Sequence, residues 1–278
     1  MKNLKKHLLS VALTVSLGAA STSAMAFNPF QIQESAVPGA VSNLIDADKI
    51  NGTFNEVVTI TGANTFSTSL LLEFQGFSDT ATNANTTGQI GNVTANQYGL
   101  YLLYTSVGTF APSGSGFQYT TTGALFNMYV DVVTNGGVKT TFSAPVGPLS
   151  STLALIPTYG LGNAADDLLL ASGSFISGSA TQTCSGAAAN NNCGSFGQTT
   201  TFDLSALGSS YFVSPNPFFT ISTQSGNFNG FVPTVGTTQT ISGVANAVFN
   251  NVPEPDSLAL LGLGAILMGT SLKRRGSI

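Results

Sequence analysis

The stretch YVDVVTNGGVKTTF, residues 129–142, carries the clearest local backbone signal in the chain. On both sides of Asn135-Gly136, β-branched and aromatic residues alternate with polar ones. The Asn-Gly pair tolerates the positive φ angles that a two-residue hairpin turn requires. We therefore predict an antiparallel hairpin here, with Tyr129–Val133 as its first strand and Val138–Phe142 as its second.

Similar segments, rich in β-branched and aromatic residues, recur along the chain. They predict strands at Glu56–Ile60, Ser67–Phe77, Gln97–Phe110, Ala124–Val133, Leu168–Ser177, Thr199–Leu204, Phe218–Thr223 and Thr238–Phe249. Gly, Ser, Asn and Thr dominate the segments between them and favour turns. Asn163–Leu170 is read either as a short helix or as a loop that enters a strand. The pattern predicts an all-β fold, an antiparallel β-sandwich-like domain.

The charge of the body excludes several functions. Residues 27–252 carry two lysines against ten carboxylates, a formal charge of −8. Nucleic-acid binding needs a basic surface, so we exclude nucleic acid as a partner. The only histidine is His7, so the body has no imidazole base or imidazole metal ligand. Since the sequence also lacks a G-x-S-x-G or S-x-x-K nucleophile motif, we expect a protein that is not an enzyme and needs no cofactor.

The N-terminus has the three parts of a secretory signal peptide. Three lysines within residues 2–6 precede the apolar run Leu8–Gly18, and Ala24-Met25-Ala26 forms an A-x-A cleavage site. We predict a signal helix that is cleaved after Ala26, so that the mature chain starts at Phe27.

The C-terminus has three parts in a fixed order. Val252-Pro253-Glu254-Pro255 is followed by the uncharged run Ser257–Leu272 and then by Lys273-Arg274-Arg275. As a helix the run would be roughly 24 Å long, somewhat shorter than the ~30 Å hydrocarbon core of a bilayer. The basic residues should stay in the cytoplasm. The prolines keep the peptide before the run extended and accessible. We therefore predict a transmembrane helix that holds the exported chain in the inner membrane.

This tail resembles the PEP-CTERM sorting signal. In that family an exosortase, a membrane-embedded transpeptidase, recognises the Pro-Glu-Pro element. The resemblance implies export, transient anchoring in the inner membrane, and then a place at the cell surface or outside the cell. An anchor that is never cleaved is the alternative. The expected organisation is a signal peptide (1–26), an extracellular β domain (27–250) and a sorting signal (251–278).

A second resemblance concerns the start of the mature chain. Phe27-Asn28-Pro29-Phe30, Asp48-Lys49-Ile50-Asn51-Gly52 and Glu56 resemble the flocculation-associated PEP-CTERM proteins. That resemblance implies a surface or matrix protein that promotes cell aggregation together with exopolysaccharide, with contacts to the polysaccharide or between copies of the protein. The alternatives are a carbohydrate-binding or carbohydrate-active protein with a discrete sugar site, and a calcium-dependent adhesin.

Cys184 and Cys193 are the only cysteines of the chain. Because an exported chain meets an oxidising compartment, we predict a disulfide between them. It would act as a structural staple or, alternatively, would make the loop between the cysteines rigid for contact with a partner.

The carboxylates of the body suggest two further kinds of site. Asp46, Asp48 and Glu56 could contribute to an irregular calcium site, although an EF-hand is excluded because its glycine and final glutamate would be displaced by one position. A glycosidase would need two carboxyl groups ~5–9.5 Å apart. The remaining acids that could supply them are Glu73, Asp131, Asp166, Asp167 and Asp203. We expect neither a metal site nor a catalytic pair among these residues.

Overall fold

The computed structural model of the protein describes residues 28–79, 84–86, 88–90, 98–133, 138–153, 159–184, 193–215, 217–218 and 220–250. The predicted signal helix, with Ala24 and Ala26, and the tail from Val252 through Arg275 lie outside the described residues. Within the described ranges, no helix has the length and apolar character needed to cross a bilayer.

Strands dominate the described part of the chain. They are β1 (Phe30–Gln33), β2 (Leu44–Ala47), β3 (Lys49–Gly62), β4 (Thr65–Asp79), β5 (Ala84–Thr86), β6 (Gly99–Ser113), β7 (Gly116–Asp131), β8 (Thr141–Ser143), β9 (Gly160–Gly162), β10 (Leu168–Gln182), β11 (Gly194–Thr201), β12 (Asp203–Leu204), β13 (Phe212–Ser214), β14 (Thr220–Phe228) and β15 (Thr238–Asn250). A short helix, α1 (Ala206–Tyr211), follows β12, and 3-10 turns occupy Glu34–Ala36 and Ala164–Asp166. The prediction of an all-β, antiparallel fold is confirmed.

The long strands close into a barrel of eight antiparallel strands. Neighbours follow the order β11–β14–β15–β3–β4–β6–β7–β10, and β10 then pairs back with β11. The pairing that closes the barrel runs from Gln182 opposite Gly194 to Phe175 opposite Thr200. The β-sandwich prediction is therefore wrong, because the strands form one closed wall and not two packed sheets.

Glycines at strand irregularities explain how the wall can curve. The β3–β4 register shifts between Asn51 and Gly52, and the β6–β7 register shifts between Val107 and Gly108. A Cβ at Gly52 would collide with the Glu73 carbonyl, so only glycine allows this close approach of two strands. Bulges and glycines of this kind bend strands and let a sheet close on itself.

The predicted hairpin at residues 129–142 is wrong in its pairing. β7 ends at Asp131 and pairs with β6 and β10, whereas β8 pairs with β9. Burial of the β7 side chains in the barrel wall outweighs the local turn preference. The Asn135-Gly136 turn itself lies outside the described residues. In Asn163–Leu170, the loop alternative is correct, since a 3-10 turn leads directly into β10.

An aromatic cluster fills one end of the barrel, which we call the base. Here β1 pairs with β2 and β13 in a small antiparallel sheet, and α1 packs beside it. The Phe30 and Phe249 ring centroids are 4.8 Å apart, and those of Phe202 and Phe249 are 4.9 Å apart. Such edge-to-face and tilted pairs are favoured by the ring quadrupole and bury a large apolar area.

A buried carboxylate joins three segments at the base. The Glu34 oxygens accept hydrogen bonds from the Gln89 backbone amide at 2.6 Å, Asn43 Nδ2 at 2.9 Å and the Tyr98 hydroxyl at 2.9 Å. The Tyr98 hydroxyl also lies 2.7 Å from the Tyr211 hydroxyl of α1. Because its partners come from distant parts of the chain, Glu34 fixes the base against the barrel.

Candidate functional site

The interior of the barrel contains a cavity with a mixed polar and apolar wall. Water-sized molecules can occupy about 70 Å³ of it. Phe54 and Leu72 line the cavity toward the base, and Phe66 and Phe231 line it toward the opposite end. Between them lies a ring of polar side chains, which we call the polar belt. It consists of Glu56, Thr68, Tyr104, Ser106, Thr121, Gln198, Thr200 and Thr223.

Strand alternation directs Glu56 into this cavity. Phe54, Glu56 and Val58 share the inner face of β3, because successive side chains of a strand point to opposite faces. Protein atoms surround the carboxyl group, and the accessible surface that Glu56 keeps faces the cavity. Thr68 on β4 donates a hydrogen bond to it. The Thr68 hydroxyl also lies 2.8 Å from the Ser106 hydroxyl on β6, which extends the chain of hydroxyls along the wall.

The cavity shifts the acid–base equilibrium of Glu56 toward the neutral form. Burial raises the pKa of Glu56 from 4.5 to about 7, although the hydrogen bond from Thr68 opposes this change. Among the residues that the structure describes, no lysine or arginine lines the cavity. Burial, with the nearby carboxyl of Glu56, also raises the pKa values of the Tyr104 and Tyr119 hydroxyls. Near neutral pH, Glu56 therefore exists in both its protonated and its ionised form.

Gln198 presents a second acceptor on the opposite wall. Its Nε2 donates to Thr121 Oγ1 at 2.8 Å, whereas its Oε1 is buried and has no hydrogen-bond partner among the described residues. Gly178 makes room for this side chain, since a Cβ there would collide with the Gln198 amide. Ala180 and Ala245 also line the cavity with small side chains, which leaves space at its centre.

Gln182 connects several segments at the end of the cavity that lies opposite the base. We call this end the mouth. Its Nε2 donates to the Phe231 carbonyl at 2.6 Å and to the Cys184 carbonyl at 2.7 Å. The Tyr119 hydroxyl donates to Gln182 Oε1 at 3.1 Å. Phe231 is buried and lines the cavity here. The predicted Cys184–Cys193 disulfide is present beside this network.

A second cleft lies on the outside of the wall, which we call the outer cleft. Its volume is about 270 Å³, and Glu73, Tyr101, Asp131, Lys139 and Phe142 are among its lining residues. Tyr101 stacks on Tyr129 with ring centroids 5.2 Å apart. Lys139 Nζ is 3.9 Å from Glu73 Oε1.

The outer cleft brings together acids that are distant in the sequence. Asp131 accepts from the Thr140 amide at 3.1 Å, and Asp167 accepts from the Tyr101 hydroxyl at 2.5 Å. Desolvation raises the pKa of both Asp131 and Asp167, with a smaller contribution from the nearby Asp166. Asp203, in contrast, is exposed and accepts from Thr201 at 3.0 Å.

The calcium grouping suggested by the sequence is wrong. Asp46 lies on β2, exposed, and accepts from Gln31 Nε2 at 2.7 Å, whereas Glu56 points into the barrel. Among the described residues, no cluster of three or more His, Cys, Asp or Glu side chains could hold a metal ion.

Five neighbouring strands share an outer surface that is uncharged apart from Lys49 at the start of β3. Strands β10, β11, β14, β15 and β3 lie side by side in the wall. We call this surface the hydroxyl–amide face, and it comprises Ser177, Ser179, Ser195, Thr199, Gln224, Thr240, Ser242 and Asn55. The Thr199 hydroxyl lies 2.9 Å from the Ser222 hydroxyl on the next strand. Ile176 and Val244 are exposed apolar residues of the same strands.

The polar belt was missed at the level of the sequence. A signal was present for Glu56, which occurs in phase with Phe54 and Val58 and so belongs to the apolar face of its strand. Gln198 and Thr121 gave no comparable signal, because their meeting depends on the closure of the barrel between β10 and β11.

Comparison with known families adds the context of the tail. Residues 251–275 match the PEP-CTERM protein-sorting motif, a range that contains Val252-Pro253-Glu254-Pro255 and Lys273-Arg274-Arg275. Neither curated proteins nor solved structures gave a match to the chain. The motif supports export, processing by an exosortase, and a place at the cell surface or outside the cell. The chain is therefore a PEP-CTERM protein.

Proposed function

We propose that this protein promotes cell aggregation together with exopolysaccharide, by many weak contacts and without catalysis. The observation that carries the proposal is the hydroxyl–amide face, which offers hydroxyl and amide groups on five adjacent strands. Neutral sugars present the same kinds of donors and acceptors. Each such contact in water contributes little, but linked contacts add up to useful avidity.

The low charge of this face favours a neutral polymer or a second copy of the protein as the partner. No charged side chain belongs to the face, although the body as a whole has a formal charge of −8. When the hydroxyl–amide faces of two copies meet, the negative charges of both copies therefore lie outside the contact. Export and sorting to the cell surface or beyond support the proposal, since a protein meets exopolysaccharide only there.

The test introduces charge into the face. The triple variant Ser179→Glu, Gln224→Glu and Ser242→Glu alters three exposed positions of the face. It should reduce flocculation strongly in a strain that lacks the native gene, while the yield of polysaccharide and the level of exported protein stay unchanged.

A matched control places the same charges elsewhere. Ser113→Glu, Ser151→Glu and Ser210→Glu alter three exposed serines outside the face and should leave flocculation near the native level. If both triple variants flocculate equally, the contacts do not come from the hydroxyl–amide face, and the proposal fails.

The outer cleft supports a second candidate function, binding of a sugar at a discrete site. The specific observation is the pairing of Tyr101 and Phe142 with the carboxylates Glu73 and Asp131 around one cleft. The multivalent proposal expects Asp131→Asn and Glu73→Gln, made singly, to leave flocculation largely intact. A discrete site would instead lose flocculation with either change while the protein stayed folded and exported.

A further inference from the structure

The barrel interior is built differently from a packed core. Interiors of this size are either filled by side chains or hold one small ligand. Here Gly178, Ala180 and Ala245 place small residues around the centre, and about 70 Å³ stays open to water-sized molecules. That space corresponds to roughly five water molecules. The wall therefore leaves room for a short aliphatic molecule.

The polar groups at this space comprise two acceptors, the Glu56 carboxyl group and Gln198 Oε1, among hydroxyls that can both donate and accept. Glu56 offers carboxyl oxygens, and Gln198 offers a buried Oε1 without a partner among the described residues. The hydroxyls of Thr68 and Ser106 are engaged with one another, and Gln198 Nε2 is engaged with Thr121. A buried acceptor without a donor is costly, and a ligand that brings donors relieves the cost.

We propose that the barrel interior binds one small, mainly apolar molecule that carries an amino group, with the amine between Glu56 and Gln198. Phe54, Leu72, Phe66 and Phe231 would contact the aliphatic part. An ammonium group supplies three donors and no acceptor, which matches the acceptors of the belt. It also provides the positive charge that the lining residues lack. This site is separate from the hydroxyl–amide face and does not depend on the proposed function.

Binding should depend on pH in a direction set by Glu56. The titratable groups that face Glu56 are Tyr104 and Tyr119 inside the barrel, and Tyr159 senses it from outside the wall. Burial raises the pKa values of all three tyrosine hydroxyls above their ordinary value, so they stay neutral near pH 7. Since burial also raises the pKa of Glu56 to about 7, the carboxylate that pairs with an ammonium group becomes dominant only above that pH.

The experiment uses three probes with the same number of heavy atoms, namely n-butylamine, butan-1-ol and propionate. Their binding to the exported, mature protein is measured by calorimetry and by NMR shift changes at pH 8.5 and pH 5.5. We expect n-butylamine to bind about tenfold more tightly than butan-1-ol at the higher pH, as a charge-assisted hydrogen bond implies. At the lower pH this preference should shrink, and propionate should not bind at either pH.

Two variants make the assignment specific. Glu56→Gln should abolish the preference for n-butylamine while the affinity for butan-1-ol stays within about threefold. Glu73→Gln, a carboxylate of the outer cleft, is the matched control and should keep the preference. The proposal is overturned if no probe binds, if propionate binds as well as n-butylamine, or if Glu56→Gln keeps the preference. A folded spectrum and a stability no lower than the native one establish that the Glu56 variant reports on the cavity.

Discussion

The Tyr98 hydroxyl donates a hydrogen bond to the buried carboxylate of Glu34 at 2.9 Å. Replacement Tyr98→Phe removes this donor and also separates Glu34 from the Tyr211 hydroxyl. A buried carboxylate that loses a donor costs roughly 1–3 kcal/mol. We expect the free energy of unfolding to fall by about that amount in urea titrations.

Tyr129→Phe is the matched control for this prediction. The Tyr129 hydroxyl accepts from Asn127 Nδ2 at 3.1 Å in a partly buried position, so its loss should cost less than about 1 kcal/mol. Equal losses in the two variants would show that Glu34 does not depend on Tyr98.

The raised pKa of Glu56 predicts a stability that depends on pH. The folded-state pKa is about 7 against an ordinary value of 4.5, so the folded protein holds the proton more tightly than the unfolded chain. The stability that Glu56 contributes is fully present below pH 4.5 and is lost as the pH rises through 7. Glu56→Gln removes this loss and should stabilise the protein by up to about 3 kcal/mol above pH 7, but not at pH 4.

Urea titrations at pH 4, 6 and 8 measure this difference. Glu73→Gln, on the outside of the wall, should show no comparable gain. A Glu56→Gln variant that is less stable than the native protein at pH 8 would mean that the ionised carboxylate has a favourable partner in the barrel.

Loss of the disulfide should weaken the fold without abolishing it. Cys184 and Cys193 are nine positions apart, and closing a loop of this length stabilises by roughly 2–3 kcal/mol in the chain-entropy model. The double variant Cys184→Ala and Cys193→Ala should therefore unfold at a lower urea concentration. Labelling of native exported protein with a thiol reagent should give no adduct, and full labelling would contradict the disulfide.

Sorting should depend on the peptide before the apolar run. Changing Pro253-Glu254-Pro255 to three alanines should leave the exported protein in the inner membrane with its tail attached, because the processing enzyme would lack its extended substrate. Cell fractionation and the mass of the C-terminal peptide measure this. As a control, Asp256→Asn alters the next residue and should be processed normally. Release of the triple-alanine variant at the native rate would show that the tail is only an anchor.

The sequence predicted most of the long strands but not the closure of the barrel. The predicted segments overlap β3, β4, β6, β7, β10, β14 and β15, because each strand has its own apolar face, although β3 and β7 begin several residues before the predicted segments. The closing pair β10–β11 and the cavity inside it depend on contacts between segments, which no local pattern encodes. The hairpin prediction at residues 129–142 is wrong for the same reason, since β7 pairs with β6 and β10.

The functional features likewise include some that the sequence predicts and some that depend on the fold. The disulfide and the sorting motif were predicted, because cysteine content and a linear motif are readable along the chain. The outer cleft was not, because Glu73, Tyr101 and Asp131 come together only through the fold. Glu56 was considered only as a possible calcium ligand with Asp46 and Asp48, and no metal site was expected. Its position in phase with Phe54 and Val58 is what directs it into the barrel.

Closure of the barrel has a consequence for a protein that is exported to the cell surface or beyond. Open sheets expose rows of backbone amides and carbonyls that can recruit further strands and seed fibrous aggregates. Secreted proteins often blunt such edges with lysine, and this body has only Lys49 and Lys139. Each of the eight barrel strands pairs with a neighbouring strand on both of its sides. Two copies that meet outside the cell can therefore touch through the side chains of their barrels without joining the barrel walls.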